Sequence, residues 1–432
     1  MGFDRSLIWS VSAAGDFGET EVIGGVAKWQ CTSLQRWGSW FDSNIRLHIP
    51  FSRGKLLMNQ KSRFTLPFLL AAAGTSMFPP AAAAPVNSST YNYYVDPNGN
   101  DSNPGTAKLP FQTILRASKA SLPGTTVYVA PGVYTGGFKT TMSGTEAQRI
   151  SYVSSVPWAA KIVPPISSET KAGWDNRGSY VDIIGFQIDG SEGRNGVQWR
   201  HGIYNSGSYA TIRNNWVHHI ALDAPCNNAG SAGIGVDSFN RGIKSEVIGN
   251  TLHHIGAPGC RFVKGINFST SGSVRHNVIH NIGGPAIQMW HDANNVNVTN
   301  NTVAASLIGI LVGGGDFYHT KGPNDYTQVH NNIVYDNKIG ISEQGLTGTH
   351  NAYRNNLVFQ NTTADWRLQN GNTHTGTVAL PPEFVRYARK GSADFRLRST
   401  SPAIGKGIHE PAGTGKTRGK ALVMDIGAYQ FK

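Results

Sequence analysis

Asn215-Trp-Val217, Asn250-Thr-Leu252, Asn277-Val-Ile279, Asn301-Thr-Val303, Asn332-Ile-Val334 and Asn356-Leu-Val358 decide the fold of this chain. Asparagine, any residue, then an apolar residue returns six times, with the third positions 35, 27, 24, 31 and 24 residues apart. A basic period of about 24 residues carrying insertions is that of a β-solenoid, where each repeat packs only on its neighbours. An asparagine at the same corner of every coil suits a bend, and its amide is placed to bond the neighbouring coil.

A second strand follows in each coil, usually opened by Gly-Ile: Gly202-Ile203, Gly233-Ile234, Gly265-Ile266, Ala286-Ile287, Gly309-Ile310 and Gly340-Ile341. Period-2 alternation stacks these isoleucines into one inward column and puts Asn205, Val236, Phe268, Met289, Val312 and Glu343 in a second. The outward face then carries Tyr204, Asp237, Asn267, Ser269, Gln288 and Trp290. The expected fold is all-β, a right-handed parallel β-helix over residues 91–430. The amphipathic stretch Phe111–Ala120 is expected to form a helix capping its N-terminal end, where a terminal coil would otherwise expose its core.

Insertions shape that face. The run from Asn box to second strand is long in the coils of Val217 and Leu252 and short afterwards, while Gly313–Val329 is long after its strand. Loops on both flanks make a groove over 233–237, 265–269 and 286–290. Cys226 and Cys260 fall in the two early insertions, an even pair for one disulfide, with two buried thiols as the alternative.

Upstream, the basic stretch Met58–Arg63, the apolar Phe64–Phe78 and the run Ala81–Ala84 have the order of a secretory signal peptide over 58–84. Residues 1–57 show no periodic pattern and read as an upstream extension, with Met58 the initiator. The expected location is secreted or periplasmic, with no membrane segment left after signal removal. Downstream of residue 84 the chain has 30 Lys/Arg and 21 Asp/Glu, a formal charge of +9, which favours a polyanionic partner. Nothing points to nucleic acid: no fold for it and no basic run with interleaved aromatics. A monomer acting on an acidic polysaccharide is expected.

Tyr93–Gly105 with Pro110–Ile114, the Pro123–Val129 run with Gly132-Val-Tyr134, and Ser401–Ile404 with Asp425–Tyr429 resemble the opening, first-turn and closing motifs of the pectate-lyase-like superfamily. That resemblance implies a secreted β-helix acting on polysaccharide, a scaffold shared by lyases, hydrolases, epimerases and adhesins. Family 9 pectate lyases and family 6 lyases are nearest in architecture. Their sites do not carry over. Asn267 stands where the pectate type keeps its lysine base, and no Asp-Asp-Gly-Phe-Asp run precedes it. The calcium that the resemblance would imply therefore lacks its aspartate cluster, and the cofactor stays open. The alginate-lyase Lys and Arg strand motifs and the polygalacturonase set are absent too.

β-Elimination of a uronan needs a base for the C5 proton, a group neutralising the adjacent carboxylate and an acid for the leaving oxygen. Lys264, His291 and Tyr318 are the candidate bases, and Arg261 and Lys321 the candidate charge neutralisers. Asn267 and Gln288, on adjacent coils, are placed to grip one carboxylate. Trp290 is read as a sugar platform, with Tyr204, Asp292 and His319 beside it as binding residues. The rival reading is a hydrolase using Asp237 and Asp292, two coils or roughly 9–10 Å apart at about 4.8 Å per coil. A non-catalytic polysaccharide binder is the third. His218, His253 and His280 recur at one coil position, with His219 and His254 at the next; a shared metal and a plain stacked ladder both fit.

Overall fold

The computed structural model describes residues 91–165, 171–191, 199–227, 230–409 and 424–431. The expected extension 1–57 and expected signal peptide 58–84 lie outside the described residues. No helix among the described residues is long and apolar enough to cross a membrane.

The chain winds as the expected all-β right-handed parallel β-helix, with three strands per coil rather than the two read from sequence. One nine-stranded sheet carries the Asn-box strands, and Val217, Leu252, Ile279, Val303, Val334 and Val358 lie in register through it. A second nine-stranded sheet carries the Gly-Ile strands. Its isoleucine column Ile203–Ile234–Ile266–Ile287–Ile310–Ile341 is in register and fully buried. The second inward column, Asn205 through Glu343, is buried as well. The unread sheet has eleven strands, and in the coils of the Asn boxes an inward residue stands three positions before the ladder asparagine: Ile212, Val247, Val274, Val298, Val329 and Tyr353.

The corner between that sheet and the Asn-box sheet is held by the asparagines. Each side-chain oxygen accepts the backbone N–H and the side-chain NH2 of the asparagine one coil before it, as Asn277 does from Asn250 at 2.9 and 3.0 Å. Each Nδ2 also donates to a backbone carbonyl of the preceding coil, as Asn277 does to Val247 at 2.9 Å. The ladder runs without a break from Asn215 to Asn356, all fully buried. The residue before each ladder asparagine has positive φ (Asn214, Gly249, His276, Asn300, Asn331, Asn355), which turns the chain sharply there.

The ends are closed differently. The expected N-terminal helix forms over Ile114–Ala120, shorter than the amphipathic stretch; Thr113 caps it and its Oγ1 bonds Asp101. Phe111 instead pairs with Val95 beside the first strand and is buried against Tyr93. The closing motif does not plug the open end. Ala403 and Ile426 join Phe384, Phe395 and Leu397 against Val278, Ala304, Ile333 and Leu357, on the outer face of the Asn-box sheet. Val278, Ile333 and Leu357, the middle residues of three later Asn boxes, are buried by that cover.

Candidate functional site

The cysteines form the expected disulfide, Cys226–Cys260, with Cα atoms 5.6 Å apart, tying together the two early insertions. The outward face of the Gly-Ile sheet is not one open groove. It divides into a C-terminal part closed by its own loops and an N-terminal part holding a cavity.

In the C-terminal part the expected site residues serve the long loop. Asp292 Oδ1 accepts the backbone N–H of Tyr318, His319 and Thr320 and the Thr320 hydroxyl, and its Oδ2 accepts Ser238 Oγ. Those donors hold its carboxyl below the usual range despite the burial that opposes them. His291 Nδ1 faces the Asp316 carbonyl at 2.8 Å, so Nδ1 carries the proton and Nε2 accepts the Tyr318 hydroxyl at 3.0 Å. In this arrangement the two candidate bases are bonded to each other. His319 Nε2 reaches the Phe239 carbonyl at 3.1 Å, so the loop leans back to the turn after the 231–236 strand. Trp290 packs its ring over Gly313 and Gly315, where any side chain would strike it. That contact is a structural reason for the tryptophan that sequence did not offer. Gln288 and Asn267 are register neighbours as expected, but Gln288 is buried. Lys321 and Arg261 are exposed, the latter stacked over Phe262.

The N-terminal part holds a cavity of about 670 Å³, walled by Lys139, Lys171, Asp175, Arg177, Arg200, His201 and Tyr204. Sequence reading named only Tyr204 there. Lys139, Asp175 and Tyr204 stack in one outward row of successive coils. Arg177 pairs with Asp175 at 2.6 Å and lies over the Tyr204 ring, whose hydroxyl donates to Asp237 Oδ2 at 2.8 Å. Burial, with Asp237 beside it, pushes the Tyr204 phenol well above its usual range, so it stays a donor. Asp237 Oδ1 is taken by the Phe239 N–H. With the oxygens of Asp237 and Asp292 so engaged, the pair is poorly suited to activating water.

Lys264 sits two coils from His201 in the same outward row, with Ala232 between them. Burial pushes the Lys264 amine down to about 8. Burial, then the charges of Lys264 and Arg200, push His201 down to about 4, leaving it neutral. No ion-pair partner faces Lys139, Lys171, Arg200 or Lys264 among the described residues. His201 Nδ1 and Asn267 Oδ1 are buried on this face without a hydrogen-bond partner, as expected where a ligand completes a site. The missed residues left a faint signal. Trp174-Asp-Asn-Arg177 has the alternation of the Gly-Ile strands, but it precedes the first Asn box and was outside the repeat.

The histidines at the Asn-box sheet form the ladder. His218, His253 and His280 stack at 5.2 Å per step, and His219 stacks on His254 at the same spacing.

A family model agrees with this architecture over part of the chain. Residues 93–252 match the family model described as the Pel9A-like, right-handed β-helix region. A curated relative, the uncharacterized protein YwoF of Bacillus subtilis (strain 168), is 31% identical over 142 residues, 32% of this chain and 30% of that protein's length. Among solved structures, pectate lyase Pel9A has 18% identity and a TM-score of 0.45, over 80% of this chain and 98% of that one. A rhamnogalacturonan lyase has 14% identity and a TM-score of 0.45, over 72% and 97% respectively. The A-module of the mannuronan C-5 epimerase AlgE4 of Azotobacter vinelandii has 14% identity and a TM-score of 0.45, over 61% and 68%. Three-strand coils and an unbroken asparagine ladder make this chain a right-handed parallel β-helix, and its residues 93–252 are similar to the Pel9A-like β-helix region.

Proposed function

We propose that this protein is an exported lyase that cleaves a uronic-acid-containing polysaccharide by β-elimination at the N-terminal cavity of the Gly-Ile sheet. One observation carries the reading: an amine that burial pushes down to about 8, Lys264, in the same outward row as the His201 of a cavity walled by four cations and one carboxylate. Four cations match a polyanionic chain. An amine near pKa 8 is partly unprotonated at neutral pH and can accept the C5 proton. Arg177 and Arg200 hold the uronate carboxylate, and the charge that develops on it in the transition state is what they stabilise. The C5–H electrons form the C4–C5 double bond, the C4–O bond breaks, and the proton on Lys264 passes to the leaving oxygen. Tyr204, fixed by Asp237 and Arg177, positions the sugar ring. The disulfide supports an oxidising compartment, in keeping with export.

The test is incubation with a panel of uronans and neutral polysaccharides, following ultraviolet absorbance of unsaturated product. Uronan turnover with a rate rising towards pH 8 is expected, and Lys264→Arg should lower it by about 10²–10⁴-fold with an unchanged circular dichroism spectrum. New reducing ends without unsaturated product, binding without turnover, or a fully active Lys264→Arg variant would each overturn the proposal.

A further inference from the structure

The corner where the Gln187–Asp189 strand meets Trp216–Ile220 gathers three ligand-type atoms. Asp189 and His218 are register partners one coil apart, both buried. His219 follows in left-handed backbone (φ 55°), which brings its ring edge-on to that of His218. The two Nδ1 atoms are 2.7 Å apart, and Asp189 Oδ1 lies 3.3 Å from His218 Nδ1. All three atoms fall within 4.8 Å of one another.

The next coil repeats the histidines and shows what a closed pair looks like. His253 Nδ1 and His254 Nδ1 are 2.8 Å apart, but Trp216 Nε1 donates to His253 Nε2 at 2.8 Å. An indole N–H only donates, so His253 must carry its proton on Nδ1. That pair is an ordinary N–H···N hydrogen bond, with no carboxylate grouped with it among the described residues. The third coil has Asn281 in place of the second histidine, bonded to His280 Nδ1 at 2.6 Å.

At His218 the lock is missing. Its Nε2 faces Gln187 Nε2 at 3.0 Å, and a primary amide, unlike an indole, turns over to present its carbonyl oxygen instead. With the Gln187 carbonyl accepting from Nε2–H, Nδ1 is left with its lone pair, the outer-shell support usual for a ligating histidine. Asp189 is oriented likewise: Lys161 Nζ holds Oδ2 at 2.8 Å, and the Ser191 N–H bonds Oδ1 at 2.9 Å. One lone pair of Oδ1 remains.

We propose that Asp189, His218 and His219 bind a divalent transition metal of the zinc type, with a fourth position open on the half-buried His219 side. Two imidazoles favour zinc, nickel or copper over calcium and magnesium, which want oxygen. Tetrahedral zinc at about 2.0–2.1 Å from each nitrogen sets the two nitrogens roughly 3.3 Å apart, a small opening of the present pair. The site belongs to the Asn-box sheet, not the cavity sheet, so it fastens one coil to the next and does not depend on the lyase reading.

The experiment is calorimetric titration of the full chain, stripped with chelator, using Zn²⁺, with Ca²⁺ as comparison. His219→Asn copies the natural third coil and tolerates left-handed backbone; His254→Asn is the matched control. One Zn²⁺ per chain is expected, with affinity lowered at least 10-fold in His219→Asn and Asp189→Asn and changed less than about 2-fold in His254→Asn. Added Zn²⁺ should also raise the unfolding temperature of the parent chain and not that of His219→Asn. Absence of Zn²⁺ binding, equal loss in His254→Asn, or Ca²⁺ binding as tightly as Zn²⁺ would overturn the assignment. Turnover of polysaccharide plays no part in the readout, so failure here and failure of the lyase reading are separate results.

Discussion

Replacing Asn277 by alanine should cost this protein about 3–5 kcal/mol, and the sum can be worked bond by bond. Asn277 sits in the middle of the ladder, fully buried. Its Oδ1 accepts the Asn250 N–H at 2.9 Å and Nδ2 at 3.0 Å, and its Nδ2 donates to Val247 O and Asn301 Oδ1, both at 2.9 Å. Some of those partners keep a second bond after truncation. Asn250 Nδ2 still donates to Ile212 O, and Asn301 Oδ1 still accepts the backbone N–H of residue 277. The Asn250 N–H and the Val247 carbonyl lose their side-chain partner outright. At roughly 1–3 kcal/mol for each orphaned buried group, and with a small void added, the total reaches that range. Unfolding entropy of about 2.1 cal/mol/K per residue gives roughly 0.7 kcal/mol/K for a β-helix of this length, so the melting temperature should fall by about 4–7 °C. Urea unfolding followed by tryptophan fluorescence measures the free energy, with the exposed Asn92→Ala as a surface control. Asn277→Asp should cost at least as much at pH 7, because a carboxylate would face two acceptors and donate to neither. A loss below about 1 kcal/mol in Asn277→Ala, no larger than the control, would refute the claim that the ladder holds the coils in register.

Lys264→Met should stabilise the fold at pH 7 by up to about 3 kcal/mol, because the parent chain buries an amine whose folded value, about 8, lies below the ordinary 10.5. The sign follows from proton uptake: between pH 8 and 10.5 the unfolded chain binds more protons, so parental stability rises with pH there and the advantage of Lys264→Met shrinks. Urea midpoints at pH 7 and pH 10 check this, and an advantage that grows with pH contradicts it. Removing the disulfide with Cys226→Ser and Cys260→Ser opens a link across 34 residues, worth about 3.5–4 kcal/mol on the chain-entropy account; thermal unfolding with and without reductant should show the loss in the parent only. Asp292→Ala strips five donors of their acceptor and should free the loop at 316–320. Limited proteolysis should then cut there first, and Asp292→Asn, which keeps one acceptor, should be cut more slowly.

The sequence by itself determined the coil. Six Asn boxes at a recurring spacing, each tied to an isoleucine column, are a one-dimensional signal, because in a solenoid every repeat meets the same local environment. The disulfide was legible for the same reason: both cysteines sit in equivalent insertions of successive coils. The third sheet was harder to read, because in the Asn-box coils its strands are only three or four residues long and leave little alternation to count. The cavity was legible only in part: Tyr204 was named from sequence, and Lys139, Lys171, Arg177 and Arg200 were not. Sequence put the groove over the central strands, but whether an outward polar residue meets solvent or the underside of a loop depends on where the loop lands. Asp292 looks like a catalytic carboxylate in a list and becomes a loop anchor once five donors point at it. Lys264 looked like one candidate among several, and only burial beside His201 set its amine apart. The closing motif behaved likewise, covering the outer face of the Asn-box sheet instead of its open end. Coil geometry repeats and so writes itself into the sequence; each loop crosses between coils only once, so which side chains it covers is set by where it packs in three dimensions.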